Sequence, residues 1–415
     1  MRSGKLKAHI PMLTDLEQKL HADLDTQALV KLLADMVKAP SISGDEKPAV
    51  DVLASWLDKA GFDVTIEDAA PGRPNLVVSH GKGASAGGPD GNRGGPTLLL
   101  TGHSDTVPIG EGWSKDPYGA EIDGDRLYGR GSCDMKAGLA GMALTMLGIK
   151  RALPDLTGKL VFAACVDEEM NGLGTQAAIK AGLTADWAVI GEPTELQPIR
   201  ACKGDCYFEV EIRGVAAHAG SPDEGVNAIG AAATAIRIAE AHDRELRHHR
   251  HNLLGSPTMS VGTITGGMIV SAVPDRCSVW IDRRLLPHES GESALASFRE
   301  MLDRDMDRRD GLSHQVALRM ELPPSEVAED HPLVQAVARA GRDSGGPNVA
   351  VGGWGAASDG GYLMRDAKIP TVLFGPGSIT GQAHRPDEYV SIEQTIVAAK
   401  TYLTLAARAL TSGLK

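Results

Sequence analysis

Aromatic side chains are scarce in this 415-residue chain, with Phe, Trp and Tyr together making up 4%. Ring packing therefore cannot dominate its interior, and the 49 glycines point to an α/β protein of tight turns and close backbone approaches. Cysteine is also sparse. Cys133, Cys165, Cys202, Cys206 and Cys277 are odd in number and lack CxxC spacing, which fits reduced thiols better than a disulfide framework. Nowhere do eighteen apolar residues run together, and the basic start MRSGKLKAHIPMLTDLEQKL has no continuous apolar stretch of the kind a signal peptide needs. A cytoplasmic location is the expectation. No stripe of Lys and Arg relieves the formal charge of -12, which argues against nucleic-acid and anionic-membrane partners. The GxSxG elbow of serine hydrolases is missing. The Gly-rich GKGASAGGPDGNRGG lacks the GK[ST] ending of a P-loop and reads as an exposed, flexible loop, and the GxG of YGRGSC lacks the rest of a dinucleotide fingerprint.

At this length two domains are the default. Leu29, Leu32, Leu33, Met36 and Val37 repeat at helical spacing and stop before Pro40, and Val50, Leu53 and Leu57 mark a second helix ending at Gly61. Short apolar strands are expected at 64–67, 76–79, 97–101, 160–166 and 187–190, interleaved with helices such as the one carrying Leu139, Met142, Ala143 and Met146. That pattern describes a sheet covered by helices on both faces. From about residue 200 the texture becomes half-solvated. Strand, helix, strand, strand, helix, strand follow at 206–213, 226–241, 258–265, 276–284, 291–307 and 314–321, the ferredoxin-like order. Buried-strand texture then returns at 370–374, between helices at 331–343 and 392–410. The expected organisation is an α/β domain made of 1–199 and 322–415, with an α+β domain inserted at 200–321.

Four strands of the larger domain deliver polar residues just past their carboxyl ends, the edge at which open α/β sheets bind ligands. LLLTGHSDTVP brings His103 and Asp105, VFAACVDEE brings Glu168 and Glu169, WAVIGEPTE brings Glu192, and TVLFGPGSITGQAH leads to His384. Asp134 opens a helix in LYGRGSCDMKAG, where Gly129 and Gly131 allow a tight approach. Singly, each has an ordinary reading: a satisfied histidine, a turn cap, an N-cap, a helix-start acid. Together, imidazoles and carboxylates form the ligand set of zinc and other divalent first-row metals. If Asp134, Glu169 and Glu192 are anionic ligands beside neutral His103 and His384, two divalent ions leave one positive charge, which a bridging hydroxide cancels. Such a pair of ions, about 4 Å apart, holds a deprotonated water near neutral pH. Glu168 is then left to move protons, and Asp105 to hold the other ring nitrogen of His103. HHRH at 248–251 reads as a solvated helix end with adventitious metal binding as the alternative, and Cys133, which has no evident helper, as a small packing residue with a nucleophile as the alternative.

The motifs GHSDTVP, LYGRGSCDMKAG, DEEMNGLG, GEPTE and GQAHRPDEYV, in this order, resemble the co-catalytic zinc aminoacylase and carboxypeptidase family, within it the acetylornithine deacetylase and succinyl-diaminopimelate desuccinylase branch. The resemblance spans nearly the whole chain. It implies a zinc-exopeptidase-like catalytic domain with a mixed sheet, and two divalent ions, Zn2+ first and Co2+ or Mn2+ as alternatives. His103 and Glu192 would hold one ion, Glu169 and His384 the other, with Asp134 bridging and Glu168 as general acid/base. It further implies that the inserted domain is a lid through which a homodimer forms, that His218 in GVAAHAGSPDEGVNA reaches the partner's active site and helps stabilise the oxyanion, and that Arg283 in WIDRRLLPHE grips a substrate carboxylate. Ser358 and Asp359 in GAASDGG would line the substrate pocket. Ser271 stands where relatives often carry Asn. The expected activity is hydrolysis of the amide bond of an N-acyl amino acid by a metal-bridging hydroxide. A dipeptidase, carboxypeptidase or deaminase using the same dinuclear centre is the alternative, and a catalytically inactive binding protein the reading from another class.

Overall fold

Strands with no polar face require cover on both sides, and Thr97–His103 is buried at every position. The computed structural model describes residues 13–83 and 95–414. The expectations for the first residues and for the middle of the Gly-rich stretch, 84–94, lie outside the described residues. The described chain forms two units. One gathers the chain up to Arg200, Val327–Gly352 and the chain from Tyr362 onward; the other comprises Ala201–Glu326 and Gly353–Gly361. The residues 353–361 thus group with the smaller unit, where the sequence pattern assigned all of 322–415 to the larger one.

The large sheet runs Thr65–Ala70, Arg73–Gly81, Lys159–Cys165, Thr97–His103, Trp187–Ile190, Thr371–Leu373 and then Ile199–Cys202, all but the last lying wholly in the larger unit. The four central strands, from Lys159–Cys165 to Thr371–Leu373, are mutually parallel, while pairing toward both edges is antiparallel. This is the mixed sheet that was expected. Its antiparallel hairpin at one edge reflects the tight turn at Gly72, which has φ +75. The helix Ala137–Ala152 is apolar nearly all round, as a helix held between the sheet and the helix Ile392–Ser412 must be. Gly138 explains how close it comes: a Cβ there would sit 2.3 Å from the carbonyl oxygen of Gly191, at the carboxyl end of the strand Trp187–Ile190. The C-terminal helix starts where the Ser391 side chain accepts a hydrogen bond from the Gln394 N–H. Inside it, the Tyr402 hydroxyl donates to the carbonyl of Phe374 at 2.7 Å. Among the described residues no helix is long and apolar enough to cross a membrane.

The smaller unit is a four-stranded antiparallel sheet in the order Thr258–Gly266, Arg276–Leu285, Gly204–Arg213, Ser313–Leu322, backed by the helices Ala228–Leu246 and Gly291–Asp305. This is the ferredoxin-like arrangement. Alternation along Gly204–Arg213 buries Cys206, Phe208, Val210 and Ile212 against the helices, with the Phe208 ring stacked 6.1 Å from that of Phe298. The edge strand Thr258–Gly266 is exposed over most of its length, and beyond it Met268 and Val270 are 96% and 102% exposed.

Because the atom opposing Gly138 is backbone, neither side can yield cheaply. The substitution Gly138→Ala should destabilise the protein by about 1–3 kcal/mol, the usual cost of overpacking, read as a lowered urea midpoint; an unchanged midpoint would show that the helix is free to shift.

Candidate metal centre

Strand register places the donors. His103 pairs with Cys165, Thr101 with Ile190, and Leu373 with Ile190, so the four parallel strands end within two residues of one another. His103 is the last residue of its strand, Glu168 and Glu169 follow Cys165 by three and four residues, and Glu192 follows Ile190 by two. His384 arrives eleven residues after Leu373 and has a left-handed backbone (φ 61), a region that histidine enters more readily than most residues. Asp134 differs from its expected setting. It does not open a helix; it lies in the turn Ser132–Lys136 with extended backbone (φ -118, ψ 98), ahead of the helix Ala137–Ala152.

All five proposed ligands and Glu168 come together. Asp134 divides its two oxygens: Oδ1 lies 3.1 Å from Nε2 of His103, and Oδ2 lies 3.2 Å from Nε2 of His384. His384 Nε2 is also 3.1 Å from Glu169 Oε1, and His103 Nε2 is 3.9 Å from Glu192 Oε1. One donor atom each from His103, Asp134 and Glu169 fall within 4.8 Å of one another, as do those of His103, Glu168 and Glu192. Two ligands bonded at about 2.0–2.1 Å to one tetrahedral ion lie roughly 3.3 Å apart. The separations around Asp134 are thus of a size that would suit a carboxylate shared between two ions.

Asp105 acts more broadly than the sequence suggests. Its backbone carbonyl, 3.0 Å from His103 Nδ1, is the nearer partner of that ring, the carboxylate oxygen being 3.6 Å away. The carboxylate instead accepts from the Ser43 hydroxyl at 2.7 Å and from the N–H groups of Glu168 and Glu169 at 3.1 and 3.2 Å. It thereby fixes the turn that carries both glutamates. Sequence reasoning missed the other half of that support. Arg73 bonds to the buried Glu46 and, at 2.6 Å, to Asp167 Oδ1, steadying Asp167 in a left-handed conformation (φ 71) directly before Glu168. The preference of Asp and Asn for such a conformation was the one signal available.

In the metal-free protein the imidazoles compensate the carboxylates. Burial opposes protonation of His103, but its hydrogen bond to Asp134 and the nearby Glu192 raise its pKa well above the ordinary value. His384, bonded to Asp134 and Glu169, is pushed up to about 10. Burial likewise works against ionising Asp134, yet the two histidines hold its carboxyl well below the usual carboxylate range. Cys133 is no nucleophile here: burial, with Glu388 and Asp134 nearby, keeps its thiol protonated.

The remaining residues singled out by the sequence belong to the smaller unit. His218 is exposed on the short strand Ala217–His218, and its Nδ1 accepts from the Gly220 N–H at 3.0 Å, so the neutral ring carries its proton on Nε2. Arg283 is buried, with its guanidinium bonded to Glu289 and to the carbonyl of Arg284. Gripping a substrate carboxylate would require Arg283 to exchange these partners. Ser358 and Asp359 are buried as well, and the Ser358 hydroxyl accepts from the Gly360 N–H at 3.3 Å. His251, at the end of HHRH, lies 3.2 Å from Glu326.

Residues 99–408 match the peptidase family M20/M25/M40. The chain is 31% identical over 378 residues to an acetylornithine deacetylase from Photorhabdus laumondii, covering 88% of this chain and 92% of that protein. It is 32% identical to an acetylornithine deacetylase from Edwardsiella ictaluri, covering 91% and 96%. Among solved structures, an M20 family metallo-carboxypeptidase from Sulfolobus solfataricus superposes with a TM-score of 0.73 at 19% identity over 91% of this chain and 98% of that one. A dinuclear metal-binding peptidase of the M20 family from Bacillus subtilis does so with a TM-score of 0.67 at 18% identity, covering 95% and 99%.

Imidazoles must be neutral to bind metal, so filling this site displaces the protons that the carboxylates hold on His103 and His384. At pH 7 to 8, calorimetry in buffers of differing ionisation enthalpy should detect release of about two protons per chain on loading with divalent ions, and affinity should fall as pH is lowered. The sign reverses for the metal-free fold: with the His384 pKa raised from 6.5 to about 10, its pairing stabilises fully below pH 6.5 and is lost as pH rises toward 10. Proton release near zero would contradict this charge state.

Proposed function

The chain belongs to peptidase family M20/M25/M40, and from that membership and the donor geometry we propose that it is a metal-dependent amidohydrolase that cleaves the amide bond of an N-acyl amino acid. The observation that carries this reading is the division of the Asp134 carboxylate between two histidines on separate segments, 3.1 and 3.2 Å away, which suits a bridging ligand. His103 and Glu192 would hold one divalent ion, His384 and Glu169 the other. The nitrogen and oxygen donor set favours zinc, with cobalt and manganese as substitutes. When bound, two such ions supply Lewis acidity for the substrate carbonyl and lower the pKa of water toward neutrality.

The protein's own groups account for the proton movements. Glu168, 9% exposed and within donor reach of His103 and Glu192, takes a proton from the attacking water and delivers it to the nitrogen as the C–N bond breaks, so that the amine leaves neutral. Asp105 keeps Glu168 in place through its backbone N–H. Two curated deacetylases at 31% and 32% identity support an acyl amino acid as substrate class. His218 is assigned as the donor to the developing oxyanion on its resemblance to the family, in keeping with an exposed Nε2–H. A homodimer through the smaller unit is supported by the free edge of Thr258–Gly266 and the bare apolar side chains of Met268 and Val270.

Glu168→Gln should retain two ions per chain by metal analysis while kcat falls at least about a hundredfold; a variant with most of its activity would remove the base assignment. A panel of N-acetyl, N-succinyl and N-formyl amino acids alongside dipeptides, assayed with added divalent ions, should give the highest kcat/KM for an acylated amino acid, and a preference for dipeptides would replace the deacylase reading with a peptidase one. Val270→Asp should shift the protein from dimer to monomer in sedimentation; an unchanged dimer would exclude this edge.

A further inference from the structure

One buried ion pair, Arg130 with Glu388, ties together three of the segments that carry the site. Glu388 is 1% exposed and lies four residues beyond His384. Its Oε1 accepts the backbone N–H groups of Cys133 at 2.9 Å and of Asp134 at 3.1 Å, and its Oε2 accepts from Arg130 Nη1 at 2.6 Å. Arg130 in turn donates through Nη2 to the carbonyl of Pro108 at 3.3 Å, on the segment leaving His103, and its guanidinium lies over the Trp113 ring. The Gly129 N–H donates to the Glu388 carbonyl at 2.8 Å, and the strand Tyr389–Ser391 pairs with Arg126–Tyr128 in unbroken register. The turn that presents Asp134 is therefore built against the segment that presents His384.

We propose that Glu388 is a positioning residue for the metal centre: by accepting the Asp134 N–H it fixes the rotation of that peptide, and hence the split of the Asp134 oxygens between His103 and His384. The inference rests on the metal-centre reading above and adds a residue outside the ligand set. A buried carboxylate with two N–H donors and one guanidinium is fully committed, so it orients rather than ligates. Reach and charge perform separate tasks in this arrangement. Reach delivers an acceptor to the Asp134 N–H, and charge compensates Arg130.

That separation gives a test. Glu388→Asp keeps the charge but shortens the arm by one methylene; Glu388→Gln keeps the reach but leaves Arg130 without a counter-charge. Each metal-free variant is melted, and its affinity for zinc is measured by competition with a chromophoric chelator. The two orders should cross. Glu388→Asp should melt near wild type yet bind zinc roughly 10- to 100-fold more weakly, the usual effect of losing such outer support. Glu388→Gln should melt lower yet bind more tightly than Glu388→Asp. If Glu388→Gln fails to fold, Arg130→Met combined with Glu388→Gln removes the stranded charge, and its zinc affinity should likewise exceed that of Glu388→Asp. Affinity that follows melting temperature in the same order, or a Glu388→Asp variant that binds zinc as tightly as a two-ion wild type, would overturn the proposal alone. A wild type that binds no divalent ion would instead refute the metal centre, and this inference with it.

Discussion

Four carboxylates, those of Asp134, Glu168, Glu169 and Glu192, crowd around two imidazoles in a region largely withdrawn from water. Like charges at that density are unfavourable in a low dielectric unless cations stand between them. Adjacent Glu168 and Glu169 at the end of a buried strand make sense only on that condition. Without metal the imidazoles take up protons to supply the charge, and divalent ions supply it more completely. The scaffold around the site serves to hold these groups where they repel one another.

It does so through carboxylates that are not themselves ligands. Asp105 reaches back to two N–H groups and so governs the turn with Glu168 and Glu169, while Asp167, held by Arg73, governs it from the other side. Each support takes backbone amides, a hydroxyl or a guanidinium as its donors, so the negative charge it adds near the site is met locally. These contacts hold the loops that carry the histidines and carboxylates through protein groups alone.

Much of this was legible in the sequence, for identifiable reasons. Apolar runs marked the central strands, alternation marked the ferredoxin-like unit, and polar residues just past strand ends marked the donors, because each of these is a local pattern. The supports were not legible. Arg73 meets Glu46 and Asp167 across 27 and 94 residues, and Arg130 meets Glu388 across 258, separations at which no periodicity relates the partners. The strands Arg126–Tyr128 and Tyr389–Ser391, three residues each, are too short to carry an alternation. For Arg283 the resemblance implies a substrate carboxylate as partner and gives no sign of Glu289, six residues on, to which the guanidinium is bonded.

The strand Thr371–Leu373 lies between Trp187–Ile190 and Ile199–Cys202, although the latter two are neighbours in the chain. The sheet is therefore complete only when a strand from much later in the chain occupies that slot, and the second histidine follows the same strand. Up to that strand the polypeptide carries all four acids but only one of the two imidazoles, so the charge balance of the site is completed by the segment that follows Leu373.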